Sequence, residues 1–445
     1  MENNYQKDSI TLIGAVGLGI GVMIGAGIFA LLGQVAQITG ALFPFSFIVG
    51  GMITAFSAYG YAKMANAYPS AGGIGMFFVK AYGKGTATGG AALLMAVSMV
   101  INQSLIARTF GTYTLQLFGV GPDTFIVPIL GVGLIIFAFL INLTGNKLIQ
   151  TFTSIVSILK IAGISIFALA ALWVSRFSFD GVLSGDIPEQ NALGGFIASL
   201  ALTILAFKGF TTITNNGSEI VKPHKNVSRA IAISISICLV IYLLVTWAVS
   251  SNLSVSEIVA ARDYSLAEAA RPTLGDYGLW FTVGIAILAT ISVIIASIFA
   301  VSRMTAMLTE MKLIPHKHFG LPGNLQQHML VYIATIAIFL TVFFDLSRIA
   351  TLGAIFYLTM DIMFHWGILT RLKKKIDAKI SIIVAALVFD VVVLGAFIWF
   401  KITTDLLIAI LSIVFMSIIF VGEYFYLKKR SFDEDDEATV ETHSH

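Results

Sequence analysis

Four places in this 445-residue chain carry residue types that could do chemistry. The first is the run Gly17-Leu18-Gly19-Ile20-Gly21-Val22-Met23-Ile24-Gly25-Ala26-Gly27-Ile28-Phe29. Its glycines look like a dinucleotide fingerprint, but that motif needs a preceding strand and a following helix in a βαβ unit. Here the run lies inside one apolar segment. Two readings remain. Small residues permit close helix–helix packing. Alternatively, Gly25 and Gly27, each costing about 1 kcal/mol in a helix interior, mark a break. Unwound main chain at mid-membrane depth is tolerated only where it lines a cavity. Its free N–H groups, at the positive end of a half-helix, can hold a carboxylate. The second place is Leu205-Ala206-Phe207-Lys208-Gly209-Phe210-Thr211-Thr212, where a lysine beside a glycine interrupts an apolar run near its middle. Two glycine-interrupted helices in corresponding positions of two halves point to a transport site.

The third place is Lys160, in Ser157-Ile158-Leu159-Lys160-Ile161-Ala162-Gly163, too deep in its apolar run to snorkel easily. Thr153, Ser157 and Lys160 recur at i, i+4 and i+7, on one helical face. That face is polar, so the lysine looks inward rather than at lipid. An ionisable group inside a membrane is a functional candidate by default; the alternative is a structural ion pair. The fourth place couples Lys208 to the distant Asp361, with His365 one turn further on. If Lys208 faces a cavity, it disfavours cationic ligands and could meet a carboxylate. If it faces elsewhere it needs an internal partner, because a buried unpaired charge costs several kcal/mol. Asp361 is then the candidate for a gate-forming pair. Asp390 has no role that the sequence supplies.

The elements that position these residues follow from composition. The chain is 57% hydrophobic and 11% charged, with a mean hydropathy of +0.91; soluble domains are about 25% charged. A helical span needs about 20 apolar residues, and twelve apolar segments can be marked, near 10–33, 41–66, 87–108, 124–144, 151–175, 195–216, 229–250, 277–303, 329–344, 348–368, 380–400 and 404–425. They do not alternate as barrel strands do. An all-α integral membrane protein is expected; a soluble enzyme, a nucleic-acid binder and a secreted disulfide scaffold are excluded. The first run is too long for a signal-peptide core and is read as span 1. The single cysteine, Cys238, permits no intramolecular disulfide.

With twelve spans both termini share one side. Of the 27 Lys and Arg, 19 then fall on that side and six on the other, and Lys160 and Lys208 lie within spans. The positive-inside rule places both termini in the cytoplasm. The opposite loops, 176–194 and 251–276, carry Asp180, Asp186, Glu189, Glu257, Asp263 and Glu268. The tail from Asp433 to His445 is acidic and reads as solvated and disordered, and His443 and His445 on its end offer at most a weak metal site.

Four stretches, in order, resemble the amino acid–polyamine–organocation (APC) superfamily, and within it the proton-coupled ApcT-like amino-acid transporters. They are Gly21 to Phe29; Ala67-Tyr68-Pro69-Ser70-Ala71-Gly72-Gly73 with Ala81-Tyr82-Gly83; Glu219-Ile220-Val221-Lys222-Pro223 through Asn226 to Ile231; and Ser302-Arg303-Met304 through Leu313-Ile314-Pro315. The resemblance implies two inverted five-helix repeats, spans 1–5 (about 10–175) and 6–10 (about 195–368), with helices 1 and 6 broken. Two further helices (about 380–425) follow, within one transmembrane domain, 10–425, flanked by cytoplasmic segments 1–9 and 426–445. It implies that the N–H groups of Gly25, Ala26 and Gly27 hold a substrate carboxylate. It also implies that the carbonyls of Met23, Leu205, Ala206 and Lys208 receive its ammonium, and that Asn102 is a pocket residue, unless it serves only interhelical hydrogen bonding. Lys160 would stand where relatives carry the proton, between spans 1, 5 and 8, near the Gly19 region and Thr290 or Ser292. Departures from the family pattern are Lys208, Lys63 and Ser228, and Thr211 stands where some antiporters carry an acidic sensor.

The expected activity is secondary active, proton-coupled uptake of a neutral or acidic amino acid by alternating access. The alternatives are an amino-acid or amine exchanger without proton coupling and, further off, an ion transporter of the same fold. No enzyme is expected, since no nucleophile–base constellation or His-rich cluster appears. No metal or cofactor is expected apart from the coupling H+. The partners are the amino-acid substrate and the lipid bilayer, with no nucleic acid, and placement in the inner (plasma) membrane follows from the family type. The specific amino acid, stoichiometry and oligomeric state are not encoded in any motif found.

Overall fold

The computed structural model describes residues 9–70, 73–144, 146–178, 192–314 and 325–442. Residues 1–8, Ala71, Gly72, Gly145, Asp180, Asp186, Glu189, Pro315, Lys317, His443 and His445 lie outside the described residues, as does the Thr153 side chain. A chain that crosses a bilayer must satisfy every main-chain N–H and C=O internally, and the apolar runs do so as helices. In chain order these are α1 (Leu12–Val22), α2 (Ile28–Thr39), α3 (Phe43–Ala67), α4 (Gly73–Tyr82), α5 (Thr86–Gln116), α6 (Ile126–Thr144), α7 (Asn146–Val174), α8 (Ala192–Phe207), α9 (Thr211–Asn215), α10 (Pro223–Asn252), α11 (Val255–Ala260), α12 (Ser265–Glu310), α13 (Leu325–Phe343), α14 (Leu346–Gly367), α15 (Ile380–Thr404) and α16 (Leu406–Thr442).

Eleven helical stretches among the described residues are long and apolar enough to cross a membrane. One of these, Ile28–Ala67, joins the second half of span 1 to span 2, and the shorter apolar Leu12–Gly25 supplies the first half. Span 1 is therefore α1 plus α2, and span 6 is α8 plus α9. Both are interrupted where glycine stands. Met23–Gly27 forms one π-turn with Ile24 outside helical geometry (φ −81°, ψ 36°). Lys208–Phe210 forms a 3-10 turn.

The packing partners come in pairs. Span 2 lies on span 7 (α3 on α10), and span 3 on span 8 (α5 on α12). The contact of span 5 with span 8 (α7, α12) is matched by that of span 10 with span 3 (α14, α5), and α5 on α6 by α12 on α13. The contact of α1 with α7 is matched by that of α8 with α14. Exchanging spans 1–5 with spans 6–10 carries each contact into its partner. Five spans is an odd number, so the second half enters from the opposite face, which makes the repeats inverted. Helices α15 and α16 lie outside this scheme; α15 packs on α8, α14 and α3.

Several boundaries differ from the sequence reading. The loop after span 2 holds α4. The loop 251–276 is largely helical: α11 opens with a capping box between Ser254 and Glu257. Those Ser254 hydrogen bonds hold the Glu257 carboxyl below its ordinary range. Helix α12 then bends into the membrane at Gly275, whose φ of +60° suits glycine. The acidic tail is not disordered as expected but continues α16 to Thr442. Its spacing allows this, since Lys429 and Arg430 precede Asp433 and Glu434 by one turn.

Candidate functional site

The two interruptions cross each other, and glycine is what lets them. A Cβ on Gly209 would lie 2.7 Å from both the Cγ and the main-chain N of Met23, and 3.0 Å from the Gly19 carbonyl. A Cβ on Gly27 would lie 2.5 Å from the Tyr242 hydroxyl and 2.6 Å from the Ala206 carbonyl. Gly25 is pressed instead against Val293 of α12. The tight-packing and broken-helix readings of the glycine run are therefore both realised. Breaking a helix frees carbonyls, and buried carbonyls need donors. Tyr242 of α10 meets this need: its hydroxyl lies 2.6 Å from the Met23 carbonyl and 3.2 Å from that of Ala206. One side chain thus bridges both breaks.

Beside the crossing lies a small cavity of about 30 Å³, lined by Gly27, Asn102, Leu205, Ala206, Lys208 and Ser297 among others. Five of the expected site residues meet there: Gly27, Asn102, Leu205, Ala206 and Lys208. Met23 and Gly25 do not line it, and of Ala26 only the main chain within the π-turn is described. The volume suits about two water molecules. An amino acid needs the helix halves to part.

Lys160 is fully buried, and its ammonium donates to the Gly21 carbonyl at 2.5 Å. That carbonyl ends α1 just before the break. Gly21 has no room for a side chain, because a Cβ would meet Ser157 Oγ at 2.7 Å. The expected placement between spans 1, 5 and 8 holds, since α7 packs on α1 and α12. The ligand is Gly21 rather than Thr290, whose hydroxyl turns back to the Ala286 carbonyl at 2.8 Å.

Lys208 does not pair with Asp361. Its ammonium donates to Ser98 Oγ at 2.5 Å and sits 5.1 Å from the centroid of the Tyr357 ring. Asp361 stands one turn beyond Tyr357 on α14 and faces α3 instead, accepting from Ser57 Oγ (2.7 Å) and Tyr61 Oη (2.6 Å). Of the two alternatives left open for Lys208, the gate pair is thus replaced by two separate contacts, and Lys208 lines the cavity. The physical reason is that a cation–π contact and a hydroxyl already satisfy the ammonium, while two hydroxyls satisfy the carboxylate.

On the side of the termini, Arg303 Nη2 reaches Glu219 Oε1 at 2.6 Å with both side chains largely buried. The strand-like segment at Ile10 pairs with 219–221: Ile10 N–H donates to the Glu219 carbonyl and Val221 N–H to that of Ile10, both at 2.9 Å. On the other side, Gln34 Nε2 donates to Asp263 Oδ1 at 2.6 Å, and burial pushes the Asp263 carboxyl up. These contacts tie helices together on the two sides of the membrane. Sequence reasoning missed Tyr242, Ser98 and the Glu219–Arg303 pair. Glu219 and Arg303 had a signal, standing in two of the four family stretches; the others are ordinary residues in apolar or polar runs.

Two inverted repeats whose broken helices cross beside a cavity among the spans define a membrane transporter. The chain belongs to the amino acid permease family, whose sequence profile matches residues 10–431. It is 31% identical over 301 residues to the inner membrane transport protein YbaT of Escherichia coli (strain K12), covering 67% of this chain and 69% of that protein. It is 34% identical over 275 residues to the uncharacterized protein MJ0609 of Methanocaldococcus jannaschii, covering 61% and 62%. It is 27% identical over 284 residues to the serine/threonine exchanger SteT of Bacillus subtilis (strain 168), covering 62% of each. The chain spans about three fifths of the length of the latter two relatives. The protein is a multi-pass membrane transporter of amino acids and not an enzyme.

Proposed function

We propose that the protein takes up a neutral or acidic amino acid together with protons, by alternating access, across a plasma membrane with both termini cytoplasmic. The observation that carries this reading is Lys160, buried in α7 with its ammonium on the Gly21 carbonyl at the end of α1. When charged, the ammonium anchors the half-helix that must swing for the site to open. When neutral, it donates more weakly and the anchor loosens. A proton is thereby linked to the position of α1. In the loaded state the N–H groups of Gly25, Ala26 and Gly27 hold the substrate carboxylate. The carbonyls of Met23, Leu205, Ala206 and Lys208 accept from its ammonium, sharing Met23 and Ala206 with Tyr242. Lys208 places a cation at the cavity wall, which repels cationic side chains and leaves neutral or acidic ones.

A second reading is exchange without proton coupling, favoured by the similarity to a serine/threonine exchanger. Uptake of labelled amino acids into sodium-free proteoliposomes separates the two. Accumulation only with an inside-alkaline gradient, lost in Lys160→Ala, is the expected result. Uptake that ignores the gradient but requires internal amino acid overturns proton coupling in favour of exchange.

A further inference from the structure

A second buried ionic cluster lies where α3, α14 and α15 meet. Asp361, His365 and Asp390 are all fully inaccessible, and the transport reading above uses none of them. His365 is the informative member. Its Nδ1 is 2.9 Å from the main-chain carbonyl of Asp361, and its Nε2 is 3.3 Å from that of Ser57. A carbonyl oxygen can only accept, so both ring nitrogens have to donate. Neutral imidazole carries one N–H and imidazolium carries two. The geometry is that of the cation.

Two carboxylates compete for this one cation. Asp361 Oδ1 is 3.7 Å from Nδ1 and Asp390 Oδ2 is 3.2 Å from it. Asp361 is otherwise well supported, by Ser57 and Tyr61. Among the described residues neither oxygen of Asp390 has a well-aligned hydrogen bond, and the approach of His365 Nδ1 is shared with the Asp361 carbonyl. Two anions and one cation leave a net negative charge where burial makes it costly, and two close carboxylates resist joint ionisation. One proton on Asp390 removes the excess.

The surroundings offer no other compensation among the described residues. The neighbouring titratable groups are Tyr61 on α3 and Tyr357 on α14. Lys208, in the interruption of span 6, is turned to Ser98. Tyr82 on α4 donates to the Met363 carbonyl. Glu423 on α16 faces Gly89. A cation is the other conceivable occupant, since one ligand atom from each of the three residues lies within 4.8 Å of the others. Ligation needs a free imidazole lone pair, and here both nitrogens are committed to carbonyls. The site also connects to transport. The Tyr61 ring stacks on Phe364 at 3.8 Å and meets Phe210, in the interruption of span 6, edge-on at 5.3 Å.

We propose that Asp361, His365 and Asp390 form a second proton-binding site, distinct from Lys160, in which Asp390 carries an exchangeable proton beside the Asp361–His365 ion pair. The test uses full-length protein in liposomes. Infrared spectra with 13C-labelled aspartate should show the carbonyl stretch of a protonated carboxylic acid at neutral pH. It should vanish in Asp390→Asn and persist in Lys160→Ala. Nitrogen-15 spectra of the wild-type histidines, assigned by His365→Gln, should show one imidazolium insensitive to bulk pH near neutrality; this reading stands even if Asp390→Asn fails to fold. Absence of the band, its survival in Asp390→Asn, or a neutral His365 would overturn the proposal. One equivalent of Zn2+ or Mn2+ retained after dialysis by the wild type, and lost in His365→Gln, would overturn it in favour of a metal site.

Discussion

Gly209→Ala isolates the contact on which the crossing of the broken helices depends. The added methyl lies 2.7 Å from Met23 N, 2.7 Å from Met23 Cγ and 3.0 Å from the Gly19 carbonyl. The Met23 side chain can turn away. Its main-chain nitrogen and the Gly19 carbonyl cannot move without moving α1. Ordinary contact begins at 3.4 Å, so the interruptions must part by about 0.7 Å at Met23 N and about 0.4 Å at the Gly19 carbonyl. Overpacking of this kind costs about 1–3 kcal/mol. At 1.4 kcal/mol per decade, the crossed geometry becomes roughly 5- to 150-fold less populated relative to a separated one. The matched control is Gly17→Ala in the same span, where a Cβ meets nothing within 4 Å. It should be neutral, or stabilising by about 0.5–1 kcal/mol. Both variants would be reconstituted at equal amounts of monodisperse protein. Initial uptake should fall about tenfold or more in Gly209→Ala and stay near wild type in Gly17→Ala. Wild-type uptake by Gly209→Ala would refute the argument that the crossing itself is the functional geometry.

Three further outcomes follow from the same structure. Tyr242→Phe removes the donor shared by the Met23 and Ala206 carbonyls, so melting should show a loss of about 1 kcal/mol, and its half-saturating substrate concentration should fall because both acceptors are freed. An unchanged half-saturation would mean that the substrate ammonium does not use them. Arg303→Ala leaves Glu219 buried without its cation, a loss of about 3 kcal/mol or more. A cysteine placed at Thr212 should then react with an impermeant maleimide several-fold faster from the side of the termini, and no faster from the other. Asp405, between α15 and α16, accepts from Arg348 Nε at 2.8 Å, and that hydrogen bond holds its carboxyl below the ordinary range. A lowered folded value stabilises above the unfolded one and fades as pH falls through it. The melting difference between wild type and Asp405→Asn should therefore be constant from pH 7 to about 5 and vanish well below about pH 4.

What could be read from the sequence is what local physics encodes. Spans follow from apolar length, and both breaks stand where glycine makes a helix expensive. The inward face of Lys160 follows from the spacing of Ser157 and Lys160, and the structure buries both. Pairings across the fold were another matter. Tyr242 is one tyrosine in an apolar span, and no period marks it as the donor that two interruptions need. Asp361 and Lys208 attract each other on paper because both are charged and intramembrane. Which hydroxyls and rings lie nearer is a matter of helix rotation, and a fraction of a turn decides it. The tail carries a helical charge spacing and an acidic composition at once, and composition alone pointed the wrong way.

The two intramembrane lysines hold the two broken helices by opposite devices. Lys160 sits on the scaffold, in α7, and reaches a main-chain carbonyl of the half-helix α1. Lys208 sits in the break of span 6 and reaches scaffold side chains, Ser98 on α5 and Tyr357 on α14. In the proposed cycle, a proton lost from Lys160 therefore weakens one bond to α1 and makes no change to the contacts of Lys208 in the interruption of span 6. Movement should begin in α1, which on that side is also tied by the main-chain pairing of Ile10 with 219–221 and by Ser234 Oγ donating to the Val16 carbonyl at 3.2 Å. That pairing runs beside Glu219, and Glu219 is held by Arg303 of α12. Release of α1 would thus act on the segment that carries Glu219. Under the proposed coupling, Lys160 thus acts on the side of the termini through α1, the half-helix its ammonium holds at the Gly21 carbonyl.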